Sequence, residues 1–88
     1  MDEKIQKILE EKIYESISKK NEITLLAKSL GQAENENAFG HGIIIGRLYN
    51  SFYYQSRRIL NRNPTDQEFS EFVKLLKEHE NELSNSFS

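Results

Sequence analysis

Arg47, Arg57, Arg58 and Arg62 are the only arginines in this chain, and they lie inside a stretch from Asn37 to Thr65 that holds no aspartate or glutamate. Tyr49, Tyr53 and Tyr54 share that stretch, whereas the lysines are scattered through the acidic flanks. A guanidinium is planar, permanently charged and able to hold a phosphate through two N–H groups at once. A tyrosine ring can stack on an unpaired base. Arg47, Tyr54, Arg57, Arg58 and Arg62 therefore form the candidate anion or nucleic-acid face. Single-stranded RNA is the better ligand of that kind, because no helix-turn-helix pattern with a short glycine-containing turn is present. The competing expectation is that these arginines pair with the glutamates of the flanks, a solvated arrangement worth little energy.

Helical spacing sharpens the picture. At about 100° per residue, Arg47, Ser51, Tyr54, Arg58 and Arg62 fall on one side of a helix, with Arg57 at its border. Ala38, Gly42, Ile45, Tyr49, Phe52, Ser56, Ile59 and Leu60 fall on the other, which is the expected core side. Just upstream, Gly42, Ile43, Ile44 and Gly46 make the helix apolar nearly all round. Such a segment is normally surrounded, by its own chain or by a copy across a two-fold axis. These four residues are the candidate self-association surface. Glycine amides converging on a phosphate are the alternative, but neither a G-x-G-x-x-G string nor a Walker lysine accompanies them.

Other chemistry is sparse. His41 and His79 match no metal-ligand spacing, and a three-ligand zinc site would need carboxylates such as Glu36 or Glu82 to join them. The acid-free stretch supplies no general-base carboxylate, the chain has no cysteine, and Ser51 and Ser56 have no histidine near them in sequence. No cofactor is called for, and an enzyme is the least favoured class.

The run Arg47-Leu-Tyr-Asn-Ser-Phe-Tyr-Tyr-Gln-Ser-Arg-Arg-Ile-Leu60 loosely resembles the arginine-led, aromatic-rich helix of HEPN domains, over fourteen residues. That family is all-α and includes ribonucleases and nucleotidyltransferase partners. Its active members carry a histidine a few residues after the arginine, where this chain has Tyr53 or Tyr54, so the resemblance implies the helix and not the catalysis.

These residues must be positioned by helices. Ile5, Ile8, Leu9, Ile13 and Ile17 form one stripe, predicting a first helix from about Asp2 to Lys19. Ile23, Leu26, Ala27 and Leu30 predict a second, with Gly31 placed for a left-handed cap. The polar run Gln32 to Asn37 reads as a connection, and the long third helix carries the arginines. Gly42-Ile-Ile-Ile-Gly46 as a short buried strand is the alternative there. Pro64 closes the third helix. Thr65 and Glu68 then have the spacing of a capping box, which opens a fourth helix with Phe69, Phe72, Val73, Leu76 and Leu83 inward.

The expected fold is all-α, a small bundle of three to four helices with a long central helix, forming one domain over residues 1–83 with a flexible tail at 84–88. Eighty-eight residues with 36% hydrophobic and 30% charged content suit such a bundle. A chain this short also gains from a partner subunit. A net charge of −2 disfavours bulk nucleic-acid binding, zero cysteines rule out a disulfide framework, and no apolar run approaches a membrane span or a signal peptide. The resulting expectation is a cytoplasmic interaction or assembly module, homodimeric around its third helix, with single-stranded RNA or anion binding by the arginine and tyrosine face as the alternative.

Overall fold

The computed structural model describes residues 1–30 and 35–85, and it is helical without a strand among them: α1 Glu3–Ser18, α2 Lys20–Ser29, α3 Glu36–Leu60, α4 Asp66–Glu78 and α5 Glu80–Asn85. The segment 42–46 belongs to α3, so the strand alternative is discarded.

Local chemistry sets most of the boundaries. Asp2 caps α1, its Oδ1 accepting from the amides of Lys4 (2.9 Å) and Ile5 (3.1 Å). Ile5, Leu9 and Ile13 are the apolar face this helix buries. Its end is a single-residue joint. The Ser18 hydroxyl donates to the Glu15 carbonyl at 2.7 Å, a side-chain bond that competes with the helix ladder, and Lys19 alone separates α1 from α2. The α2 cap falls at Leu30, and the glycine expected in that role, Gly31, lies outside the described residues.

The third helix begins earlier than its glycines suggest. Asn35 is its N-cap, with Oδ1 accepting from the amide of Ala38 at 3.1 Å, so Glu36 and Asn37 are helical and not part of a connection. Its other end turns at Asn61, whose φ of 57° is the left-handed conformation that asparagine tolerates better than most residues. The capping box then starts α4 as the spacing requires: Thr65 Oγ1 accepts from Glu68 N at 3.1 Å, and Glu68 Oε1 accepts from Thr65 N at 2.8 Å. His79 interrupts the fourth apolar stripe, leaving Leu83 on the short α5, where it is fully buried.

Packing corrects the expected core side of α3. The buried residues are Gly40, Ile44, Leu48, Phe52 and Ser56, each four from the last. Four residues advance a helix by one turn plus roughly 40°, so this seam winds around α3 and does not run straight along it. Of the residues assigned inward, Phe52 and Ser56 are buried, whereas Ala38, Gly42 and Tyr49 are exposed. The winding suits a helix whose backbone lies close to α1, α2 and α5 in turn. Contact with α4 is carried by rings: Phe52 stacks on Phe72 with centroids 4.4 Å apart and planes 1° from parallel. Ile5, Leu9, Ile13, Ile23, Leu75 and Leu83 complete the core around them.

Candidate functional site

The acid-free stretch does not hold its arginines on one surface. Arg47 Nη2 donates to Glu15 Oε1 of α1 at 2.5 Å. Arg62 lies beyond the end of α3 and grips Glu68 of α4 with both terminal nitrogens, at 2.7 and 3.3 Å. Pairing with flank glutamates thus holds for these two. Arg57 turns toward the α4 side, 5.6 Å above the Tyr53 ring and hydrogen-bonded to Asn63 Oδ1 at 2.9 Å. Arg58 donates to Gln55 Oε1 at 2.9 Å.

Two of the five candidates do come together. Arg47 and Tyr54 line a cleft of about 300 Å³ between α1 and α3, with Lys12, Asn50, Ser51 and Gln55. The spacing 47, 51 and 54 made part of the α3 wall legible in the sequence, while Arg58 does not line the cleft and Asn50 and Gln55 were not singled out. Lys12 was missed, because it enters from another helix and nothing local to it distinguishes it from the other lysines of α1. Beside the cleft, Glu15 faces three cations: Arg47, Lys12 at 3.7 Å and Lys19 at 3.7 Å. The hydrogen bond from Arg47, then the charge of Lys12, hold the Glu15 carboxyl below the usual carboxylate range. The cleft lining itself holds two cations, Lys12 and Arg47, and no carboxylate, on a chain of net charge −2. The Ser51 hydroxyl is shielded from solvent and has no hydrogen-bond partner among the described residues.

The candidate self-association residues are divided by the structure. Ile44 is 0% exposed and belongs to the intramolecular core, so it is not available to a second copy; the seam running through Gly40 and Leu48 turns it inward. Ile43 packs against the edge of that core. Gly42 and Gly46 are exposed, and a Cβ at either would meet nothing within 4 Å, so no other backbone among the described residues approaches them.

Uncovered apolar surface lies elsewhere, on α2. This helix buries only Ile23 and Ala27. Leu25, Leu26 and Leu30 remain 65%, 47% and 64% exposed, although Leu26 and Leu30 share the stripe that was expected inward. Two buried positions in ten residues show that α1 and α3 cover one edge of α2, while Glu22, Leu25, Leu26 and Ser29, at i, i+3, i+4 and i+7, line an open face with the two leucines at its centre.

His79 Nδ1 lies 3.1 Å from Glu82 Oε1, and its ring meets Tyr14 edge-on. No group of three or more metal-ligating side chains forms among the described residues, and no helix among them is long and apolar enough to cross a membrane. Comparison with protein-family models, with curated proteins and with solved structures finds no match to this chain.

Proposed function

We propose that this protein is a small helical assembly module that pairs with a second copy of itself through α2. The observation that carries the reading is the exposure of Leu25 and Leu26 on one short helix and of Leu30 at its C-cap. Contiguous apolar surface of this kind favours association, and single exposed leucines would not. Charge favours a copy of the same helix as the occupant. Glu22 stands in the first turn of α2 and Lys28 in the last. An antiparallel pair related by a two-fold axis sets each Glu22 beside the other copy's Lys28, forming two ion pairs at once, and opposes the two helix dipoles favourably. The association interface is thus moved from α3, where Ile44 is already covered, to α2.

Sedimentation at micromolar concentration tests this. The wild type is expected at about twice the 10.3 kDa chain mass, and Leu26→Glu at the chain mass with its helical circular dichroism intact. Glu22→Lys weakens the dimer and Glu22→Lys with Lys28→Glu restores it. A strictly monomeric wild type, or a dimer indifferent to Leu26→Glu, overturns the reading.

A further inference from the structure

We propose that the cleft between α1 and α3 binds a phosphate monoester that carries a planar base, a nucleoside monophosphate being the simplest such ligand. The proposal is independent of the α2 pairing. Lys12 and Arg47 supply the positive wall, Ser51 a hydroxyl donor, and Tyr54 a ring that is 59% exposed at the rim.

Three features point to an anion there. First, the cations around Glu15 exceed what one carboxylate neutralises. Arg47 spends one terminal nitrogen on Glu15, and a guanidinium has five N–H donors in a planar fork, enough to hold a phosphate edge as well. Second, the Ser51 hydroxyl lacks a partner among the described residues although it is shielded. Polar groups in that situation are normally paired, and Ser51 is one of the residues lining the cleft. Third, Gln55 lends its oxygen to Arg58, which leaves its amide nitrogen as a donor. Of the residues lining the cleft, Lys12 and Arg47 can only donate, and Asn50, Ser51, Tyr54 and Gln55 each have a donor to offer. The base is expected on Tyr54, because a stacked aromatic ring accepts any base and the cleft volume of about 300 Å³ leaves room for one beside the phosphate.

Titration of the full chain at low salt, followed by amide chemical shifts, tests the site with three probes: inorganic phosphate, adenosine 5′-phosphate and a 5′-phosphorylated single-stranded hexanucleotide. Adenosine 5′-phosphate should shift the amides of residues 12, 47, 50, 51, 54 and 55 and bind at least about fivefold more tightly than phosphate, the lower end of what stacking contributes. Tyr54→Ala should abolish that difference and leave phosphate binding in place. Arg47→Gln should remove binding of all three probes, and Ser51→Ala should weaken them alike, with helical circular dichroism unchanged in each variant. A hexanucleotide that binds at least about tenfold more tightly than the mononucleotide identifies a nucleic-acid end as the source. Equal affinity identifies the free nucleotide. Absence of shifts at millimolar probe, equal affinity for phosphate and nucleotide, or shifts that survive Arg47→Gln overturn the proposal.

Discussion

Glu68 serves two local arrangements at once. Its carboxylate accepts from the Thr65 amide and from both terminal nitrogens of Arg62, so one side chain closes the capping box and ties the end of the α3–α4 connection to the first turn of α4. The Arg62 hydrogen bonds, followed by that of the Thr65 backbone, hold its pKa down to about 2. A carboxylate lowered in the folded state stabilises the fold above its unfolded pKa of roughly 4.3 and loses that contribution as the pH falls through the folded value. Part of the acid sensitivity of unfolding therefore belongs to Glu68, in the window between that unfolded value and a folded pKa of about 2. Urea midpoints for Glu68→Gln and wild type should differ at pH 7 and converge toward pH 2, and a difference that does not change with pH would remove Glu68 from that role. The Thr65–Glu68 pairing could be read from four consecutive positions because capping is local. The second claim on Glu68, by Arg62, could not be: Arg62 had been placed on the α3 face, and the left-handed turn at Asn61 takes it off that helix.

At the level of the helices, α3 carries the clearest disagreement between pattern and packing. A single wheel centred on Tyr49 and Phe52 places Phe52 and Ser56 correctly and the exposed Tyr49 wrongly, because the buried positions recur every fourth residue and rotate away from any fixed face. Isoleucines at 43, 44 and 45 also give hydrophobicity no direction, and burial of Ile44 is decided by where α1 and α2 lie. Existence of α1 and α4 was legible from the spacing of Ile5, Leu9 and Ile13 and from the Pro64-Thr65 break, which are properties of single segments, whereas the interruption at His79 that makes α5 a separate helix was not. Which leucines of α2 are covered depends on its neighbours and was not. The exposed glycines of α3 allow a sharp test. Gly42→Ala and Gly46→Ala meet open space within the chain, so each should stabilise by up to about 1 kcal/mol through helix propensity alone. Thermal midpoints that rise for both, with no change in sedimenting mass, agree with association through α2; a fall in mass would place a second backbone against α3.

On the scale of the whole molecule, a helix of 25 residues rises roughly 38 Å, and the longest dimension of the protein is 38 Å. α3 therefore runs from one end to the other, and its winding seam gives it a different neighbour at each level: Ile44 and Leu48 lie in the core shared with α1 and α2, and Phe52 meets Phe72 of α4. No flanking helix can leave without uncovering some of α3, yet none covers all of it. This has a consequence for how the protein opens. Amide protons in the middle of α3 can exchange with solvent only when every flank has detached, so their protection should equal the global stability. Those of α2, anchored by Ile23 and Ala27 alone, should exchange through a smaller opening that leaves α1, α3 and α4 assembled. Exchange measured as a function of denaturant would separate the two, with α2 amides insensitive to low urea and α3 amides sharply dependent on it. If α2 pairs with a second copy, its protection should also rise with protein concentration, which makes the least anchored helix the one whose local unfolding reports on the assembly of the protein.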